Sequence, residues 1–265
     1  MPIILHRAQL NCLVSVRGHP FDRTAFDTIF QDMEGVNAVM VDQPAAARLM
    51  NPEGMRGYDV LVLYDMPGLD FQSGVGAPAY VSPDRELQSG FRALLEQGKG
   101  VVALHHALAG WPDWPAYGEW LGGRFLYHSG TVRGVNWPDS GYAHNMEYFV
   151  EKVADHPVTD GIPGRFAIKD ELYLCPVFEN SVTPLLCAST QFTSDHFWSA
   201  ELAVRGRLHD RTEWTHPEGS NVIGWAKTAI NSRLVYLQPG DGPSAYNNAH
   251  YRRLMRNAIE WAAAR

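Results

Sequence analysis

The sequence predicts an α/β fold: a doubly wound, mostly parallel sheet with helices on both faces and an antiparallel extension. Two observations carry this. Short β-branched or apolar runs alternate with helical periodicity, as in βαβ units whose sheet is covered on both sides. Beyond Gly122 the pattern loosens into short strands and loops, which suits added antiparallel strands.

The first strand is read at 11–16, ending at Arg17, Gly18 and His19. Phe26, Ile29, Phe30 and Met33 then recur at i, i+3, i+4 and i+7, with Asp22 as the cap of that helix. A second strand follows at 38–41 and a third at 58–64, which ends at Asp65. The next helix buries Leu87, Phe91, Leu94 and Leu95, with Ser82 as its expected N-cap and Pro83 at its first position, and Gly98 and Gly100 stop it. The fourth strand, 101–104, runs directly into His105 and His106, where a turn and helix must start. Further strands are read at 148–153, 165–168, 184–188 and 222–226, the last core strand at 232–237, and a final helix burying Leu254, Ala258, Trp261 and Ala262. With no repeat or linker, 1–265 is read as a single domain.

Composition narrows the function. At 45% hydrophobic and 19% charged residues, the chain has the makings of a sizeable core and is not disordered or fibrous. Its formal charge of −7 lacks the basic excess that phosphate backbones require, so no nucleic-acid partner is expected. Cys12, Cys175 and Cys187 have no metal-type spacing and read as buried free thiols in a reducing compartment. No apolar run approaches the roughly 18 residues of a membrane span, and His6, Arg7, Gln9 and Asn11 interrupt the N-terminal one. A cytoplasmic protein without membrane association is expected. The absence of GxGxxG after a strand, of GxxxxGK[ST], HExxH and GxSxG removes the usual support for a nucleotide cofactor or a serine hydrolase.

In open parallel sheets, ligands bind beyond the carboxyl ends of the strands. The first strand delivers His19 there, the third Asp65, the fourth His105 and His106, and the last Asp241. The middle segment adds Asp170, Glu171 and Tyr173 after another strand, with His128 and His144 upstream. Adjacent residues of an extended chain point to opposite faces, so one of His105 and His106 is expected to be structural. Glu171, on an apolar background, is the preferred acid or base, with its pKa expected to be raised by desolvation, whereas Asp170 is read as terminating its strand. Asp241, between glycines, serves either chemistry or a turn. Trp111 and Trp114 either stack on a sugar ring or plug the core.

Together these stretches resemble the ThuA-like, or trehalose-utilisation, family: YDVLVLY at 58–64, GVVALHHA at 100–107, WPDWPAY at 111–117 with LGGRF at 121–125, HPVTDGIP at 156–163, DELY at 170–173, and GDGP at 240–243 followed by Tyr246 and two asparagines. The resemblance spans nearly the whole chain. It implies a flavodoxin-like fold related to class I glutamine amidotransferases, with His105 and His106 at the elbow where those relatives place a nucleophilic cysteine. No cysteine lies near that elbow, so thiolate amidotransferase chemistry is not expected. The family is associated with sugar catabolism, often beside dehydrogenases that make keto-sugars. Its late motif commonly reads Gly-His where this chain has Gly240 and Asp241; where that histidine is a ligand or acid/base in relatives, the substrate or metal differs here.

The expected function is an enzyme acting on a sugar or sugar-derived carbonyl compound by hydrolysis, isomerisation or elimination. Glu171, His106, His105 and Asp241 are the candidate catalytic residues, and His19, Asp65, Trp111, Trp114, His128 and Tyr173 the candidate substrate contacts. One divalent metal, held by some of His19, His105, His106, Glu171 and Asp241, would act as a Lewis acid. The competing readings are a non-catalytic sugar-binding or regulatory protein, and a homo-oligomeric scaffold whose aromatic residues lie at an interface.

Overall fold

The computed structural model describes residues 10–72 and 78–264; of the polar residues that interrupt the N-terminal apolar run, His6, Arg7 and Gln9 lie outside them. In chain order the elements begin with Leu10–Arg17 (β1), Arg23–Gln31 (α1), Val36–Asp42 (β2), Ala45–Leu49 (α2) and Val60–Asp65 (β3). The two-residue strands Leu69–Asp70 (β4) and Ala79–Tyr80 (β5) precede Arg85–Glu96 (α3) and Gly100–Leu104 (β6). A 3-10 turn at His105–Ala109 leads to Pro115–Leu121 (α4), and Gly130–Val132 (β7) with Val135–Trp137 (β8) forms a small ribbon. Gly141–Lys152 (β9), Arg165–Leu174 (β10), Thr183–Ala188 (β11), Trp198–Ser199 (β12) and Ala200–Val204 (α5) follow. The chain closes with Val222–Ala229 (β13), Ser232–Leu237 (β14), Pro243–Tyr246 (α6) and Ala249–Ala263 (α7).

One sheet runs β10-β9-β11-β13-β14-β6-β3-β1-β2, with β12 added to β9. From β2 to β14 every pairing is parallel, and from β14 to β10 every pairing is antiparallel. This is the parallel core with an antiparallel extension expected from the sequence. Alternate residues of each central strand enter opposite layers, because side chains in a strand alternate faces. Val14, Val62, Val102 and Val235 pack under α1 and α7, with Phe26, Ile29, Leu254 and Ala258. Leu13, Leu61, Ala103 and Tyr236 pack under α3 and α4, with Leu87, Phe91, Leu94 and Leu121. Each large side chain so buried contributes roughly 1.5–3 kcal/mol.

Local signals set most boundaries. Asp22 Oδ1 accepts from the Ala25 N–H at 2.9 Å and starts α1 as expected. At α3 the cap is Asp84, not Ser82: Asp84 has the extended backbone of a cap and accepts from the Leu87 N–H at 2.8 Å, while the Ser82 hydroxyl is turned to Asp113. In α7 the buried stripe runs Tyr251, Leu254, Met255, Ala258, Ile259 and Ala262, leaving Trp261 at its margin, half-buried beside Arg233. Two strands are longer than their apolar runs. β9 starts at Gly141 rather than 148, and β10 continues past Asp170 to Leu174. Asp170 does not end its strand, because its carboxylate is satisfied in place by the N–H groups of Gly240 (2.5 Å) and Asp241 (3.1 Å). Among the described residues, no helix is long and apolar enough to cross a membrane.

The parallel register aligns the carboxyl ends of the central strands. Arg17 lies beside Asp65, and Leu104 beside Leu237, so the residues that follow β1, β3, β6 and β14 emerge along one edge. β10 enters this edge from the antiparallel half.

Candidate functional site

At the end of β6 the chain turns through His105, whose φ of +42° is left-handed and costly for a residue with a side chain. The surroundings hold it there. The Tyr236 hydroxyl donates to the His105 carbonyl at 2.9 Å, and His105 Nδ1 donates to the Gln238 carbonyl at 2.6 Å. The other ring nitrogen, Nε2, therefore faces Glu171 Oε2 at 2.9 Å, the Tyr173 hydroxyl at 2.9 Å and Asp241 Oδ1 at 3.5 Å.

Glu171 arrives through a bulge. Asp170 pairs with Met146 and Leu172 with Ala143, so one residue of β10 opposes His144 and Asn145 of β9, and Asn145 is left-handed at φ +55°. The bulge brings His144 Nε2 within 2.5 Å of Glu171 Oε1. Asp241 is placed by Gly240, whose φ of +130° and close approach to the Tyr251 hydroxyl leave no room for a Cβ. The two Asp170 bonds described above clamp the same turn.

Charge follows this geometry. Burial pushes the Glu171 carboxyl up, but hydrogen bonds from His105 and His144 outweigh it, so the net shift is downward. The raised value expected from an apolar background is thus overturned, because Glu171 has two imidazole partners there. Burial lowers His105, yet contact with Asp241 and Glu171 raises it well above the usual imidazole range. His144 is also raised, chiefly by its hydrogen bond to Glu171. Asp241 is held low against its partial burial by His105. Burial raises Asp170 to about 7.

His106 turns away from its neighbour, with the two ring planes at 84°. Its Nε2 lies 3.1 Å from the Tyr64 carbonyl, and its ring packs 4.9 Å from that of His19. Burial, followed by the charges of His105 and His19, lowers it well below the ordinary range. His106 does not meet Glu171; of the pair, His105 does.

A cavity of about 400 Å³ opens in front of Glu171, His19, His144 and Tyr173, with Phe125, Tyr127 and Tyr142 as further aromatic walls. A second, of about 360 Å³, lies in front of Asp170 and Asp241. Both fall in the ordinary size range of small-molecule sites. The remaining candidates lie elsewhere. Asp65 is buried and accepts from the Ser15 hydroxyl and the Gln43 amide, each at 2.6 Å. Trp114 sits in the core, edge-on to Phe91 and stacked on Tyr117, and Trp111 lines a different cavity with Gln43 and Arg48. His128 is exposed and stacks on Tyr80 at 4.3 Å. Sequence reasoning notes His144 upstream of Glu171 without giving it a role and does not select Tyr142, although their i, i+2 spacing in a strand places them on one face and could have marked them.

His105, Glu171 and Asp241 offer one nitrogen and two oxygens, all within 4.8 Å of one another, and among the described residues they are the group able to hold a metal ion. The donor set suits a divalent cation, and the Gln238 carbonyl orients the histidine as a backbone carbonyl commonly does behind a metal-ligating imidazole.

A family model described as ThuA, trehalose utilisation, matches residues 17–262. No curated protein matches the chain. A ThuA-like protein from Bacteroides uniformis has a similar structure at 18% identity and TM-score 0.64, covering 97% of this chain and 92% of its own. One from Parabacteroides merdae does so at 15% identity and TM-score 0.64, covering 96% and 90%. The PurLQS structure from Thermotoga maritima, at 9% identity and TM-score 0.52, covers 95% and 98%. At these identities the likeness is one of fold.

Proposed function

This chain belongs to the ThuA family, described by trehalose utilisation, and on that premise we propose that it is an enzyme acting on a sugar or sugar-derived carbonyl compound by acid–base chemistry at Glu171 and His144. The observation that carries this reading is the placement of Glu171: one oxygen on His105, the other on His144, at the wall of an aromatic-lined cavity. Hydrolysis, isomerisation and elimination at a sugar carbon all need one proton taken and another given. An ionised carboxylate beside an imidazolium provides both groups within reach of one substrate.

The roles divide by position. Glu171 takes the proton and His144, exposed at the cavity wall, gives one to the substrate oxygen. His105 is wholly buried and lines neither cavity, so it acts as a positioning residue that holds Glu171 and Asp241 side by side. Phe125, Tyr127, Tyr142 and Tyr173 present flat apolar surfaces to a substrate held against Glu171 and His144.

The donor set of His105, Glu171 and Asp241 favours a second reading, in which these three residues would hold a divalent cation able to supply Lewis-acid assistance. Elemental analysis of protein purified without chelators separates the two. A stoichiometric transition metal, lost in a variant with Asp241→Ala, supports the cation; a metal-free protein that turns over substrate supports acid–base chemistry alone.

The test of the main reading is incubation of the full chain with sugars and keto-sugars in deuterated water, followed by NMR. Product formation, or deuterium appearing on carbon, is expected in the wild type and absent with Glu171→Gln. Saturable binding without either would make the chain a sugar-binding protein.

A further inference from the structure

The two cavities flank the cluster and differ in chemistry. They share His19, Pro20 and His144, which form the boundary between them. On one side Asp22, Asn145, Asp170, Asp241 and Ser244 supply carboxylate, amide and hydroxyl groups. On the other, beyond Glu171, the wall is Met66, Phe71, Ala203, Val204 and Leu208. Phe71 is 59% exposed and Leu208 65% exposed, so two large apolar side chains face solvent at the mouth of the same cavity.

The phenol groups do not make that cavity polar. The Tyr127 hydroxyl donates to the Ala109 carbonyl at 3.1 Å, the Tyr142 hydroxyl accepts from the His209 N–H at 2.8 Å, and the Tyr173 hydroxyl lies on His105. Each aromatic wall therefore offers its face while its polar tip is engaged with protein. A second sugar ring placed there would bring hydroxyl groups to a surface with few partners, whereas a planar or aliphatic group would be well matched.

We propose that the substrate is a glycoside carrying an apolar aryl or alkyl group, with its sugar in the polar cavity, its apolar group in the cavity of Phe71 and Leu208, and the bond between them at Glu171 and His144. This rests on the site assigned above and adds the substrate class. A disaccharide, with two equally polar halves, fits the pair of cavities less well.

Isothermal titration of the full chain with 4-nitrophenyl glucosides, methyl glucosides (both anomers of each) and trehalose tests it. For one anomer, the aryl glucoside is expected to bind at least about tenfold more tightly than its methyl counterpart and than trehalose. Phe71→Ala and Leu208→Asp, both at exposed positions of the rim, are expected to bring the aryl-to-methyl ratio towards one. Trehalose or methyl glucoside binding as tightly as the aryl compound, a ratio untouched by both variants, or no saturable binding of any of them would overturn the proposal. An aryl preference with no effect of Glu171→Gln on turnover would remove the acid–base reading and leave this one standing; turnover lost in Glu171→Gln without an aryl preference would do the reverse.

Discussion

Replacement of Glu171 by Gln keeps the shape of the side chain and removes its charge, so it isolates what the carboxylate does. The group is 3% exposed and contacts two imidazoles, at 2.9 Å and 2.5 Å. Removing a positioned acid or base costs about 10²–10⁴ in rate, and the loss should fall on kcat because the amide still fills the same space. The amide oxygen retains one acceptor, and Asp241 still faces His105, so the destabilisation is that of impaired buried hydrogen bonds, about 1–3 kcal/mol. At roughly 2–4 °C per kcal/mol for a chain of this size, the thermal midpoint should fall by about 2–12 °C. Calorimetry confirms that the variant is folded at the assay temperature, and turnover of the best substrate then measures the chemical effect. A folded variant retaining turnover within about threefold of the wild type would refute the reasoning, since a lost proton-transfer group should cost far more.

Two further outcomes follow from the fold. Asp84→Ala should destabilise the protein by about 1 kcal/mol through loss of the α3 cap, with Ser82→Ala leaving that cap intact, as read by urea denaturation. Burial pushes the Cys12 and Cys175 thiols up to about 12, and Cys187 is half-buried and also raised. A native sample at pH 8 should therefore react with a disulfide reagent at no more than Cys187 within minutes, and at all three cysteines of the chain once unfolded; rapid native reaction of Cys12 or Cys175 would contradict their burial.

The parts of the fold legible in the sequence are those with a local cause. The central strands could be read because apolar residues run through both faces, and α1 because its stripe and its Asp22 cap lie within a dozen residues of chain. Strand ends pointed to His19, His105 and Asp241 for the same reason: in a parallel sheet the carboxyl edge is common to all strands. Asp84 could not be told from Ser82 on residue type alone, since both are good caps and the choice depends on where Pro83 places the first turn. β9 was hidden from its start because His144, Asn145 and Glu147 break the apolar alternation there.

The order of the central parallel strands with α1, α3 and α7, the two-sided core and the edge on which ionisable groups gather were thus determined by the sequence itself. Only the tertiary structure decided which groups meet. Glu171 touches His105 across 66 positions, and His105 is oriented by Gln238 across 133. His105 rather than His106 reaches the carboxylates, His144 joins through a bulge, and Trp111 and Trp114 lie outside the cavity. Whether Glu171 is pushed up or held down depends on those same encounters. Periodicity is a property of neighbours along the chain, whereas the charge of a buried carboxylate depends on what the sheet register brings within hydrogen-bond reach.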